Sequence, residues 1–156
     1  MHGPMSGGWL NGRMASTAAA SRRQRRRSST ARGSEALASR FLEGLGWTVL
    51  ARNVRVGRSE LDLLAVDPGP PAQLVVVEVR ANRNSSFGTP EETVDRAKVR
   101  AVYRGALALR AGGGLPGGDP LPRLPLRVDL VSVEMGPTLG GAAPGTTTRH
   151  LRGVIA

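Results

Sequence analysis

Two acidic residues lie within successive segments that otherwise have the apolar character of buried strands. Asp62 lies in SELDLLAVD (59–67) and Glu78 lies in LVVVEVR (74–80). Acidic side chains are disfavoured in strands and are rarely buried without a partner or a metal ion. Neighbouring strands are about 4.8 Å apart, so two carboxylates on one face can converge on a single cation. The pattern predicts a Mg²⁺ or Mn²⁺ site formed by Asp62 and Glu78.

The chemistry predicted for this pair is hydrolysis of a phosphodiester bond. A divalent cation between two carboxylates neutralises phosphate charge and activates water for attack. Arg80 follows Glu78 by two residues and is expected on the same strand face. Its guanidinium can hold a phosphate or orient water, but arginine stays protonated and cannot act as a base.

Two simpler interpretations of the acidic pair are also open at this point. Asp62 and Glu78 could be surface residues on a half-exposed sheet. They could instead form a structural ion pair with Arg80 or Arg58 and bind no metal. The apolar run LVVV before Glu78 favours a central strand that is buried on both faces, which disfavours the surface interpretation.

The elements that must position these residues are predicted from apolar periodicity. A first helix is predicted over residues 31–45, and a second helix is predicted from a capping box at Thr89 to about Arg110. Strands are predicted over 47–56, 59–67, 74–81 and 126–134, with a short edge strand at 150–156. The first two strands are expected to form a hairpin. This order predicts an α/β fold with a mixed β-sheet flanked by helices.

Strand alternation gives more detailed expectations. Glu60 and Asp62 are expected on one face of their strand, with Leu61 and Leu63 on the other. Glu60 is expected to be a solvated neighbour of the pair rather than a ligand. Asp129 is expected to lie at a turn or at the rim of the sheet.

Composition limits the classes of protein that the chain can represent. The 156 residues support one domain, and the absence of cysteine excludes disulfides and thiolate metal sites. No apolar run approaches the roughly 18 residues of a membrane span, and no secretory signal is evident. These absences predict a cytoplasmic protein without a membrane partner.

Charge is distributed unevenly along the chain. The net charge is +10, and residues 1–34 contain seven arginines and no acidic residue. We expect a basic, disordered tail over residues 1–30 and one domain over residues 31–156. A basic tail indicates a polyanionic partner such as nucleic acid or an anionic surface, although a merely solvated leader has the same composition.

Several of these segments, taken in order, resemble the YraN-type family of small bacterial proteins. They are GSEALASRFLEGLGW, GRSELDLLAVD, LVVVEVR, SSFGTPEETVDRAKV and LRVDLVSVE. The family belongs to the restriction-endonuclease-like superfamily, whose nuclease pattern is an acid, a spacer, then Glu or Asp, any residue and Lys. The resemblance implies a restriction-endonuclease-like fold and a Mg²⁺- or Mn²⁺-dependent endonuclease.

The resemblance also implies roles for individual residues. Asp62 and Glu78 match the metal ligands, and the carbonyl of Val79 is a candidate third ligand. Glu35 matches an acidic position that often joins the site. Lys98 matches a basic position on the second helix.

One departure from the pattern leaves three functions to compare. Arg80 stands where the superfamily pattern has lysine. The first function is a nuclease that uses Arg80 as a catalytic cation, with Lys98, Arg80 and Arg83 contacting nucleic acid, DNA rather than RNA. The second is a nucleic-acid-binding module with weak or lost catalysis. The third is a protein-interaction domain in which the acids are surface charges.

Overall fold

A computed structural model describes residues 29–82, 95–115, 117–136 and 145–155. The described part of the first helix, α1, covers residues 29–44. The other elements are β1 (Thr48–Val56), β2 (Ser59–Asp67), β3 (Gln73–Asn82), α2 (Arg96–Ala111), β4 (Leu126–Met135) and β5 (Thr146–Leu151).

The ends of several elements differ from the sequence predictions. Residues 29 and 30, assigned to the tail, lie in α1, whereas the rest of the predicted tail is outside the described residues. The predicted helix start at Thr89 is also outside them. Helix α2 begins at Arg96, because the Asp95 carboxylate caps the backbone N–H groups of Ala97 and Lys98.

The strands form one open sheet in the order β1-β2-β3-β4-β5. Strands β1 and β2 are an antiparallel hairpin, β2 and β3 are antiparallel, and β4 and β5 are antiparallel. Strands β3 and β4 are parallel and are connected through α2. The predicted hairpin and the mixed α/β sheet are therefore confirmed.

The two helices pack against opposite faces of this sheet. Helix α1 contributes Ala38 and Leu42 to a cluster with strand residues Leu63, Ala65, Val75, Val77, Val131 and Val133. Helix α2 contributes Val99, Val102, Ala106 and Leu109 to a second cluster with Val54, Leu61, Leu64, Leu74, Val76 and Val128. Burying β3 on both faces explains why its sequence is a continuous apolar run.

Strand β2 changes face at Asp62. Leu61 packs in the α2 cluster, whereas Leu63 packs in the α1 cluster, so the prediction that these two leucines share a face was wrong. On the paired strand β1, Asn53 adopts a φ of 53° opposite Asp62, and the β1–β2 register shifts between Val49 and Ala51. A left-handed residue interrupts the regular pleat, and alternation does not continue through it.

Asp129 is fully buried on the α1 face, so the predicted turn or rim position was wrong. Its carboxylate accepts hydrogen bonds from Arg127 Nε at 2.8 Å and from the Gly153 backbone N–H at 2.9 Å. His150 Nε2 lies 2.8 Å from the other side of the carboxylate, and Trp47 packs beneath the Arg127 guanidinium. This network attaches the residues at and after the end of β5 to the sheet.

Among the described residues, no helix combines the length and apolar character needed to cross a bilayer.

Candidate functional site

The site forms where strands β2 and β3 diverge. Their paired residues end at Leu63 and Val77, so the next pair, Asp62 and Glu78, lies just beyond the ladder. The Asp62 side chain occupies this fork, and its Oδ2 accepts a hydrogen bond from the Val79 backbone N–H at 2.8 Å. The Asp62 carboxylate thereby takes the place of a strand carbonyl and is held next to Glu78.

Glu78 is buried, with 1% of its side chain exposed. Its Oε1 contacts the Lys98 ammonium and lies 3.6 Å from Arg80 Nε. Its Oε2 is buried and has no hydrogen-bond partner among the described residues. The surface interpretation is therefore wrong for Glu78, whereas the alternative of an ion pair with Arg80 describes an observed contact.

Burial and charge set the protonation of Glu78. Burial raises the pKa of the Glu78 carboxyl above its usual value, and the nearby negative charge of Asp62 raises it further. The hydrogen bond and charge of Lys98, with a smaller contribution from Arg80, oppose this rise in pKa. A metal cation bound beside Asp62 and Glu78 would likewise stabilise the charged form of the Glu78 carboxyl.

Glu35 reaches the same region from α1. It is half-buried. Burial raises the pKa of the Glu35 carboxyl, and the negative charges of Asp62 and Glu60 raise it further, against a lowering effect of the Asn53 side chain. The left-handed residue opposite Asp62 is therefore also a neighbour of the acid of α1.

A cleft of about 330 Å³ opens beside Asp62 and Lys98. It is lined by Arg58, Ser59, Glu60, Asp62, Lys98, Ala101 and Val102. Arg58, weighed in the sequence only as an ion-pair partner, and Glu60, expected to be merely solvated, both line this cleft. Both residues precede Asp62 closely in the sequence, and this proximity was the feature that could have indicated their place in the cleft.

Lys98 is the one lysine among the 22 lysine and arginine residues of the chain. The sequence assigned it to nucleic-acid contact, but its ammonium pairs with Glu78 across the cleft edge. Thus two cations approach the same carboxylate oxygen, Arg80 from β3 and Lys98 from α2. Arg83, the other predicted contact residue, lies outside the described residues.

A divalent cation such as Mg²⁺ would need oxygen ligands at this site. No group of three or more His, Asp or Glu side chains in the described segments is arranged to hold a metal ion. Asp62 and Glu78 nevertheless supply two hard oxygen ligands, and Glu78 Oε2 is a buried acceptor without a described partner. Mg²⁺ needs only one or two carboxylates because it retains several waters. The pair therefore offers the oxygen donors that such a cation uses.

Comparison with known proteins identifies the family of the chain. Residues 34–133 match the uncharacterised protein family UPF0102. A UPF0102 protein of Symbiobacterium thermophilum is 41% identical over 104 residues, which are 66% of this chain and 80% of that protein. One from an Arthrobacter species is 34% identical over 124 residues, covering 79% and 92% of the two chains.

Other relatives match over a shorter length. A UPF0102 protein of Desulfosudis oleivorans is 38% identical over 76 residues, which are 49% of this chain and 59% of that protein. The family match begins within α1 and extends through most of β4, and so it includes Asp62, Glu78 and Lys98. The chain belongs to the UPF0102 family, the YraN family that its sequence resembles.

Proposed function

We propose that this protein is a metal-dependent endonuclease that hydrolyses phosphodiester bonds in nucleic acid, on a restriction-endonuclease-like fold. One observation carries the proposal: the buried Glu78 has an oxygen without a hydrogen-bond partner in the described part of the chain, and it lies beside Asp62 of the neighbouring strand and the only lysine of the sequence. A buried carboxylate with a raised pKa beside a cleft is typical of a site that binds a cation or a proton during catalysis.

Asp62 and Glu78 are the residues that would hold Mg²⁺ or Mn²⁺, with the Val79 carbonyl as a further candidate ligand. When bound there, the cation supplies charge neutralisation and water activation. The hydrogen bond from Val79 N–H fixes the Asp62 carboxylate, which reduces the rotamer freedom lost on binding. Glu35, which interacts electrostatically with Asp62, adds negative potential at the same end of the sheet.

Two cationic side chains supply the positive charge that the superfamily pattern places on one lysine. Lys98 approaches Glu78 from the cleft side and is 44% exposed, so its ammonium can also reach a bound phosphate. Arg80 is on the other side of the same oxygen. In this proposal Arg80 occupies the sequence position of the pattern lysine and orients the phosphate through its planar guanidinium. Lys98 performs the charge-stabilising role of that lysine.

The test measures cutting of plasmid, branched and single-stranded substrates by the full chain with Mg²⁺ or Mn²⁺. Asp62→Asn and Glu78→Gln keep the side-chain shapes and should each lower the cleavage rate at least about 100-fold, because cation stabilisation is worth several kcal/mol. Glu43→Gln is the matched control, since Glu43 is an exposed acid of α1. No metal-dependent cutting by the wild type, or undiminished cutting by Glu78→Gln, would remove the proposal.

A nucleic-acid-binding module without catalysis is the second candidate. Lys98 already neutralises Glu78 in the absence of metal, and this contact favours the alternative. Replacement of Lys98 by Met distinguishes the two functions. In an enzyme Lys98→Met should abolish cutting while Mn²⁺ still binds, whereas in a module without a metal site no Mn²⁺ binding is measurable by calorimetry in either protein.

A further inference from the structure

Three arginines form a stripe along the solvent side of α2. Arg96, Arg100 and Arg104 are exposed and are spaced four residues apart, which places neighbours about 6 Å apart along the helix axis. Helix α2 contains no acidic residue that could offset these charges. The name arginine stripe is used for these three residues below.

The stripe is unfavourable for the helix on its own. Positive charges near a helix N-terminus oppose the helix dipole, and like charges four residues apart repel one another. None of the three arginines has an ion-pair partner among the described residues. A polyanion along α2 would remove both penalties, because it brings negative charge to the N-terminal half of the helix.

The position of the stripe connects it to the cleft. Lys98 and Ala101 line the cleft from α2. At about 100° per residue, Arg104 lies about 60° from Ala101 around the helix, whereas Arg96 and Arg100 lie about 160° from Lys98 on the solvent side. Arg58 borders the same cleft from the turn between β1 and β2. A phosphate backbone that enters beside Arg58 and Lys98 would therefore meet the arginine stripe at Arg104 and cross from there to the solvent side of α2.

The chemistry of this surface distinguishes double-helical from single-stranded substrates. Non-specific binding of single strands relies on aromatic side chains that stack with bases. Phe41 and Trp47 pack around His150 on the α1 face, and Tyr103 of α2 is half-buried against the α2 core cluster. The described part of this surface therefore offers three exposed guanidinium groups and no fully exposed aromatic ring, which favours contact with phosphates.

We infer that the arginine stripe of α2 is a track for the phosphate backbone of a double-helical nucleic acid. The inference rests on the proposed function only for the position of the phosphate to be cut. Binding along the stripe requires no metal, so it is measured separately from cleavage.

The experiment is an anisotropy titration of the full chain in EDTA with a 20-base-pair DNA duplex, an RNA duplex and a single strand of equal length. The triple variant Arg96→Gln, Arg100→Gln, Arg104→Gln is compared with Arg32→Gln, Arg40→Gln, Arg52→Gln, which removes the same charge from the α1 side of the sheet. Circular dichroism verifies that both variants fold. The tighter of the two duplexes identifies the nucleic acid.

We expect the wild type to bind a duplex more tightly than the single strand. The stripe variant should bind that duplex at least tenfold more weakly at 0.1 M salt, and the slope of log affinity against log salt should decrease by about 2 to 3. The α1-side variant should retain a slope close to that of the wild type. Equal losses in both triple variants, an unchanged slope in the stripe variant, or preference for the single strand would overturn the inference.

Failure of this inference is distinguishable from failure of the proposed function. A wild type that binds duplex through the stripe but cuts nothing with any divalent metal disproves the nuclease and leaves the track. A wild type that cuts through Asp62 and Glu78, with duplex affinity independent of the stripe, disproves the track and leaves the nuclease.

Discussion

Glu78 combines features that rarely occur together in one carboxyl group. One of its oxygens contacts Lys98 and the other, although buried, has no partner among the described residues. Because its charge is both desolvated and close to Asp62, a proton competes effectively with any cation for this group. The protonation of Glu78 should therefore control metal binding.

The first prediction concerns the pH dependence of that binding. The pKa of Glu78 is raised above the model-peptide value of 4.5, so protonation begins at a higher pH than for an ordinary glutamate. Mn²⁺ affinity measured by calorimetry should decrease as the pH falls from 7.5 to 5, by up to about tenfold per pH unit below the pKa. An affinity that is constant over this range would contradict the assignment of Glu78 as a ligand.

The same shift has a consequence for stability in the absence of metal. The folded state holds the Glu78 proton more tightly than the unfolded chain does, so this group favours folding below pH 4.5. That contribution is lost as the pH rises through the pKa of the folded state. Metal binding should offset the loss at neutral pH.

At the scale of elements, the β1–β2 hairpin is irregular next to the site. Asn53 has a positive φ and faces Asp62 in the register, and its side chain lowers the pKa of Glu35. Leu61 and Leu63, on either side of Asp62, pack in different clusters. A residue that contributes no ligand therefore adjoins both acids.

The second prediction tests this hairpin irregularity. Asn53→Val places a β-branched residue at a φ of 53° and should lower the free energy of unfolding by about 1–2 kcal/mol. Asn53→Gly tolerates the same φ and should cost less. Urea unfolding measures both variants. A Val variant as stable as the Gly variant would show that φ is not the constraint.

The sequence predicted the strands and the hairpin because their periodicity is local. It placed Asp62 and Glu78 on adjacent strands because β2 and β3 are consecutive in the chain. Its prediction that Leu61 and Leu63 share a face was wrong, since asparagine tolerates a positive φ but the residue type alone does not show that Asn53 adopts it. The contact between Lys98 and Glu78 was also missed, because it depends on the docking of α2 on the sheet.

At the scale of the whole molecule, the two faces of the sheet have different chemistry. The α2 face carries the cleft and the arginine stripe, whereas the α1 face contains the polar network centred on Asp129. The pKa of the Asp129 carboxyl is lowered because hydrogen bonds from His150, Arg127 and Gly153 outweigh its burial. The stabilisation is present above its unfolded value of 3.8 and is lost as the pH falls through the folded pKa.

The third prediction separates stability from function across these faces. Asp129→Ala removes one of the two carboxylates that pair with Arg127, the other being Asp67 at 2.9 Å, and leaves the Gly153 N–H and His150 without their shared acceptor. It should lower the free energy of unfolding by about 3 kcal/mol. Exposed Asp119 provides the control, and Asp119→Ala should change stability by less than about 0.5 kcal/mol. Both folded variants should bind Mn²⁺ as the wild type does. Equal stability of the two variants would contradict a structural role for Asp129.

The attachment of Gly153 and His150 to Asp129 also affects how the chain folds during its synthesis. Until the ribosome has released these residues, the Asp129 carboxylate lacks two of the groups that satisfy it in the finished fold. The nascent protein should therefore acquire protease resistance only once residues 150–153 have emerged, rather than when its central strands emerge.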